Sequence, residues 1–326
     1  MTSRILLLAT GDTIAYRHHT GQSTVASASE LLAGATWQRR NIRVVPEDYP
    51  AEPSWDADPA STLRLASRVH GALTNEGFAG VLVTHGIDTL ATAAFLSELL
   101  AGPMTTQARI VFTGAARCLD HAAGDARANL DDALTAVSDQ GLTGYGAVIC
   151  TAGQLQAARW AYLAEATGSA RFGCATGAPV GRIADGRLTL TSPAPAPFPA
   201  TGGDPTADVA VLKAYPGMPP AQLSTLADTG TRGIVLEGTG AGNVPVELFG
   251  TIADLSEKDI PVVIATRART GGTPPDPDCG AGLASKLGAI IVPDLPPEQA
   301  RCALQVALGL GGVAEVRDWF TRSGFC

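Results

Sequence analysis

Residues 81–100 read VLVTHGIDTLATAAFLSELL, and the architecture follows from them. The apolar, largely β-branched run Val81–Thr84 reads as a strand buried on both faces, whereas from Asp88 to Leu100 apolar residues recur at helical spacing. Only His85, Gly86 and Ile87 lie between them. A strand that passes so directly into a helix is half of a crossover, the connection that parallel strands require. The alternation continues on either side. Ile5–Ala9, Ile42–Val45, Ile110–Phe112 and Ala147–Ile149 read as further buried strands, and Pro59–Asn75 and Asp125–Ser138 as further helices. Repeated in this way, the pattern predicts right-handed crossovers and a mainly parallel sheet with helices on both faces.

The pattern breaks once. Residues 192–208, SPAPAPFPATGGDPTAD, hold five prolines and neither a helical nor a strand period, which predicts a linker. Beyond it, Val209–Leu212, Ile234–Leu236, Val262–Ala265 and Ile290–Val292 read as strands, and Ala221–Asp228, Pro245–Glu257, Pro297–Leu308 and Val313–Thr321 as helices. The expected fold class is therefore α/β in two domains, a larger one over residues 1–191 and a smaller one over 209–326.

Composition narrows the function. The chain has 326 residues, 45% hydrophobic and 17% charged, enough to bury a core without disulfides or a structural metal. Its 23 basic and 31 acidic residues give a net charge of −8, with no long basic run, which argues against nucleic-acid binding. The apolar stretch Ile5–Ala9 is too short for a signal peptide, and no segment is long and apolar enough to span a bilayer, so a cytoplasmic protein is expected. Six scattered cysteines without a C-x-x-C pair read as reduced thiols, not as a disulfide framework or a zinc site.

Ligands of open parallel sheets lie beyond the carboxyl ends of the strands, so the loops there are where chemistry is expected. Thr10-Gly11-Asp12-Thr13-Ile14-Ala15 follows the first strand. A hydroxyl just after a glycine turn is placed as a nucleophile, with loop amides to hold an oxyanion; the plainer alternative is that Thr10 and Thr13 only bond the turn backbone. Neither G-x-G-x-x-G nor G-K-[ST] is present, so a phosphate loop does not fit. In Thr84-His85-Gly86-Ile87-Asp88-Thr89, Asp88 is either a first-turn acid of the helix or a catalytic carboxylate. His85 is expected to be buried and neutral, since nothing supplies the other ligands of a metal site.

Taken together, the two loops resemble those of the bacterial asparaginase and glutaminase family. The resemblance runs along nearly the whole chain: Ser54-Trp55-Asp56, Gly114-Ala115-Ala116-Arg117, Asp125 with Asn129-Leu130, Ala157-Ala158-Arg159-Trp160, and the loop Gly238–Pro245 follow in the family's order. It implies hydrolysis of a side-chain amide through an acyl-enzyme, without a cofactor or metal. Thr13 corresponds to the nucleophile, and Ser54 and Asp88 to groups that hold the substrate's α-carboxylate and α-ammonium. Asn243 and Asp278 correspond to positions that a neighbouring subunit contributes, so a homodimer or homotetramer with shared sites is implied, with no nucleic-acid or membrane partner. Trp55 and Gly86 complete the implied substrate-binding set.

The departures from the family pattern are chemical. Ile87 stands where a threonine is usual, Leu163 where a lysine is usual, Ser23 where the lid has a tyrosine, and Asp12 where T-G-G-T has its second glycine. Losing a lysine and a hydroxyl turns one wall of the pocket apolar at Ile87 and Leu163, while Asp12 adds a carboxylate beside the nucleophile. The resulting expectation is an enzyme acting on a carboxamide or related acyl derivative other than free asparagine, with Thr13 as nucleophile and Asp12 or Asp88 as acid and base. The alternatives are a lyase or dehydratase using Asp12 and Asp88 as an acid–base pair, and a homologue that only binds.

Overall fold

The computed structural model describes residues 2–19, 22–37, 41–167, 169, 171–270 and 278–326. The chain divides into two compact units, Met1–Phe198 and Pro199–Cys326. In the first, the elements follow as β1 (Ser3–Ala9), β2 (Tyr16–His19), β3 (Gln22–Val25), α1 (Ala28–Ala33), β4 (Ile42–Asp48), α2 (Pro59–Thr74), β5 (Gly80–Thr84), α3 (Leu90–Ala101), β6 (Arg109–Thr113), α4 (Ala126–Ser138), β7 (Ala147–Thr151) and β8 (Gln154–Ala157). A ribbon of β9 (Ala161–Glu165) and β10 (Arg171–Cys174) comes next, then β11 (Gly181–Ala184) and β12 (Arg187–Leu190).

One eight-stranded sheet runs β12-β11-β8-β7-β6-β5-β1-β4. The strands from β4 to β7 are mutually parallel, while β8, β11 and β12 add an antiparallel margin. β1 sends Ile5, Leu7 and Ala9 into a core with Leu31 of α1 and with Leu130 and Leu134 of α4. The alternate residues Leu6 and Leu8 are equally buried, on the side of the sheet where α2 and α3 pack. Burial of both faces is why these strands read as unbroken apolar runs.

The antiparallel margin is absent from the sequence reading. Its strands are four residues each, and β11 alternates buried and exposed positions, so none forms an apolar run. α3 begins at Leu90, leaving Asp88 in the turn before the helix. Residues 192–198 are irregular but not loose. Phe198 is buried edge-on against Phe95 at 5.7 Å, and the Arg159 guanidinium stacks 4.1 Å from the Phe198 ring while donating to Ala196 O. Arg159 also pairs with the buried Glu98 carboxylate of α3.

The second unit has a four-stranded parallel sheet, β13 (Val209–Lys213), β14 (Gly233–Gly238), β15 (Val262–Thr266) and β16 (Ile290–Val292), paired in chain order. Around it lie α5 (Ala221–Asp228), α6 (Phe249–Glu257), α7 (Gly280–Lys286), α8 (Pro297–Ala307) and α9 (Val313–Arg322). Among the described residues no helix is long and apolar enough to cross a membrane.

Two features of the first sheet locate a site. The register aligns Ala9 with Asp48 and Thr84, and Thr84 with Thr113, so four strands end level and their following loops lie side by side. β1 then leads outward to β4 while β5 leads the other way to β6. The connections diverge between β1 and β5, the switch point at which open sheets take ligands.

Asp132 on α4 gives a test of the packing. Burial, and then the neighbouring Asp131, push its carboxyl up from 3.8 to about 6. The folded state therefore holds the Asp132 proton more tightly than the unfolded chain, and this residue's contribution to stability falls as pH rises through that interval. The Asp132→Asn variant should melt above the wild type at about pH 7.5, with the gap closing towards about pH 4, as read by differential scanning calorimetry.

Candidate active site

The loop after β1 turns through two left-handed residues, Gly11 at φ 82° and Asp12 at φ 67°. Glycine takes such a conformation freely; aspartate is among the few other residues that tolerate it. A side chain on Gly11 would meet Ala51 Cβ at 2.7 Å, so the loop also needs glycine there to lie against the segment after β4. Asp12 O then accepts from the amides of Ala15 and Tyr16, closing a helical turn that presents Thr13 half-buried at its start.

The Asp12 carboxylate is the centre of the site. It is 6% exposed. Its Oδ1 accepts from the Thr13 amide at 2.6 Å and from the Thr13 hydroxyl at 3.1 Å, and its Oδ2 accepts from the Ser54 amide at 2.8 Å. Burial alone would raise the carboxyl, but these bonds, with a further one from the Ser54 hydroxyl, hold it below the usual carboxylate range. Asp12 is anionic at neutral pH.

Ser54 joins the carboxylates. Its hydroxyl also donates to Asp88 Oδ2 at 3.3 Å, and its carbonyl accepts from the Thr89 hydroxyl at 3.1 Å. Gly86 packs directly beneath, where a Cβ would collide with Asp12 Oδ2 and Ser54 Oγ. Its role here is steric: it lets the 85–88 turn close on the Asp12–Ser54 contact.

A second layer fixes these loops. The Thr10 hydroxyl bonds Thr84 O at 3.0 Å and lies 2.8 Å from His85 Nδ1, while His85 Nε2 lies 3.1 Å from the Thr89 hydroxyl. The chain Thr84–Thr10–His85–Thr89–Ser54 ties the ends of β1 and β5 to the segment before α2. Burial pushes His85 down to about 4, with Asp12 opposing, so the ring is neutral and carries one N–H: it donates to one of the two hydroxyls and can accept only if the other turns its proton from its carbonyl to the ring. Beyond β6, Asp125 accepts from the amides of Ala116 and Arg117, and Asn129 bridges Gly114 O and the Ala152 amide. The motif residues after β6 thus shape loops, and so does Arg159. Sequence reading missed the Thr10–His85–Thr89 relay; the only signal for it was that these polar residues cluster at strand ends.

Thr13, Asp12, Ser54, Gly86 and Asp88 are brought together. The Thr13 amide, one of the loop amides expected to hold an oxyanion, is engaged by Asp12 instead, and so is the amide of Ser54, the residue implied to bind the substrate. Ile87 is half-buried, with Cγ2 placed 3.1 Å from where a Cβ on Gly114 would lie. Leu163 lies on β9 opposite Phe172, half-buried, and its membership of the site rests on motif spacing alone. Trp55 projects from the 53–56 turn and is 71% exposed. Ser23, in the β2–β3 hairpin, lies 2.8 Å from His18 Nδ1. In the second unit, Asn243 is exposed and accepts from the Ala281 amide through Oδ1 at 3.2 Å, which turns its amide nitrogen away from α7; Asp278 pairs with Lys286 at 3.0 Å. Among the described residues no cluster of three or more potential metal ligands occurs.

Comparison with known proteins agrees along the chain. Residues 4–196 match the family described as Asparaginase, N-terminal, and residues 208–320 the Glutaminase/Asparaginase C-terminal domain. A probable L-asparaginase of Deinococcus radiodurans is 31% identical, over 99% of this chain and 98% of its own. The probable periplasmic L-asparaginase of Haemophilus influenzae is 27% identical, over 93% of this chain and 88% of its own. The thermostable L-asparaginase of Thermococcus kodakarensis superposes with a TM-score of 0.83 at 25% identity, covering 99% of this chain and 98% of that one.

The tight seat of Gly86 makes it a sensitive position. Gly86→Ala should destabilise the chain by about 1–3 kcal/mol in urea unfolding, as overpacking does, by forcing Asp12 and Ser54 apart. A variant of unchanged stability would show that the loops tolerate separation.

Proposed function

The chain belongs to the asparaginase family, both of whose domains it carries in order, and within that family we propose that it hydrolyses a carboxamide other than free asparagine, with Thr13 as nucleophile and Asp12 as the base that activates it. The asparaginase-fold hydrolase class rests on the family. The finer reading is supported above all by the bond from the Thr13 hydroxyl to Asp12 Oδ1 at 3.1 Å. Geometry comes before basicity in choosing a base, and Asp12 is the carboxylate that touches the attacking oxygen.

In this reading Thr13 Oγ bonds to the amide carbon as its proton passes to Asp12. The C–N bond then breaks, the nitrogen takes a proton and leaves as ammonia or an amine, and Thr13 carries the acyl group as an ester. Water attacks that ester, gives a proton back through the carboxylates to Thr13 Oγ, and releases the acid. A depressed Asp12 holds the Thr13 proton only briefly, so proton return is easy and deprotonation is the demanding half. In the same reading Asp88 holds the substrate's cationic group or passes a proton, a role supported by its exposure and by its bridge to Asp12 through Ser54. The Ser54 bridge is also what favours a lyase as the second reading, since it couples two carboxylates as an acid–base pair.

Thr13→Ala separates the two. For hydrolysis through Thr13, turnover should fall by at least about 10³-fold. Asp12→Asn, which keeps one acceptor oxygen but not the base, should cost about 10²- to 10⁴-fold in kcat. Turnover of a carboxamide panel that survives Thr13→Ala and is lost in Asp12→Asn or Asp88→Asn would support the lyase.

Shared sites between subunits form part of the same proposal. Asn243 and Asp278 are exposed on the second unit, together with the apolar side chains of Val246, Leu283 and Leu287, a surface suited to a second copy of the chain. Light scattering at micromolar concentration should give a dimer or tetramer; a strict monomer would refute the shared-site arrangement.

A further inference from the structure

The donors around Asp12 have a geometry of their own. The Thr13 amide, the Thr13 hydroxyl and the Ser54 amide converge on one carboxylate, with the Ser54 hydroxyl beside it and Gly86 leaving room beneath. Converging amides and hydroxyls of this kind form a receptor for an anion. Here the receptor is filled by a side chain of the protein itself, at the residue directly before the nucleophile. Ser54, the residue that a ligand's carboxylate would meet, has its amide committed to Asp12 and its one hydroxyl proton shared between Asp12 and Asp88.

Charge points the same way. Among the described residues neither Asp12 nor Asp88 has an ion-pair partner. A ligand beside Thr13 therefore meets two carboxylates that no cation among the described residues pairs with. An anionic group on that ligand would find its donors taken and like charges within reach, while an ammonium group would find Asp88 exposed and accepting.

We propose that the substrate is an amine-bearing carboxamide without a carboxylate, and that Asp12 is the specificity residue, occupying with its own carboxylate the anion receptor formed by Thr13 and Ser54. This rests on the hydrolytic reading of Thr13 for its turnover but not for its binding. Asp12 then has two functions, as base towards Thr13 through Oδ1 and as an internal anion through Oδ2.

The test compares L-asparagine with 3-aminopropanamide, which keeps the amide and the amine and lacks the carboxylate. Binding is measured by calorimetry on Thr13→Ala, where no turnover intervenes. 3-Aminopropanamide should bind at least about tenfold more tightly than asparagine, the scale on which a misplaced charge discriminates. Adding Asp12→Gly, which empties the receptor and restores the residue that its left-handed backbone favours, should reverse that order. Asp12→Asn fills the receptor without charge and should give a ratio between the two. Equal binding of both ligands to Thr13→Ala, no binding of 3-aminopropanamide, or a ratio unmoved by Asp12→Gly would overturn the proposal. If the binding order holds and reverses but the wild type releases no ammonia from 3-aminopropanamide, the hydrolytic reading fails and the charge selection stands.

Discussion

Three loops from three strands meet on the carboxylate of Asp12. It belongs to the loop after β1, it accepts the amide of Ser54 in the segment after β4, and it rests on Gly86 in the turn after β5. Without it, these loops would be joined mainly by the Thr10–His85–Thr89 relay, which lies deeper and orders the strand ends more than the surface that meets substrate. A buried anion is costly unless its lone pairs are taken, and the loops supply hydrogen-bond donors to do so. The shape of the site and the ionisation of Asp12 are thus one constraint: the loops close because the charge needs donors, and the charge persists because they have closed.

The parallel half of the first sheet was legible in the sequence because its strands are buried on both faces. Val81–Thr84 and Ile5–Ala9 carry no polar residue before the point where the chain leaves the sheet, and the turn that follows each is where the chemistry gathers. β8, β11 and β12 were not legible, since a short strand with one face exposed has the composition of a loop. Proline content at 192–208 gave the absence of regular structure but not the packing of Phe198 under Arg159, which depends on residues far away in the chain.

The site was legible in a different sense. Thr13 and Asp88 stood out as polar residues in the loops after strands and Ser54 through the resemblance alone; Thr13 and Ser54 meet at Asp12, and Asp88 joins them through Ser54. What spacing could not convey was direction. Asp12 turns back onto Ser54 instead of standing open beside the nucleophile, and Asn243 gives its oxygen to the first turn of α7. Several motif residues that make the family recognisable, among them Asp125, Asn129 and Arg159, spend their hydrogen bonds on holding loops in place. A motif match therefore reports the shape of the scaffold more faithfully than the reaction carried out on it.

The left-handed backbone at position 12 has a consequence for how such sites diversify. At φ 67° glycine, asparagine and aspartate are the favoured residues, because most other side chains strain the turn. Those three differ little in backbone demand and completely in electrostatics: an open space, a neutral dipole and a full negative charge. A single-position change at the head of the first turn can therefore redraw the field around the nucleophile while the strands and helices behind it keep their places. The conformation acts as a selector with few settings, and a lineage could move between ligand charges without passing through a misfolded intermediate.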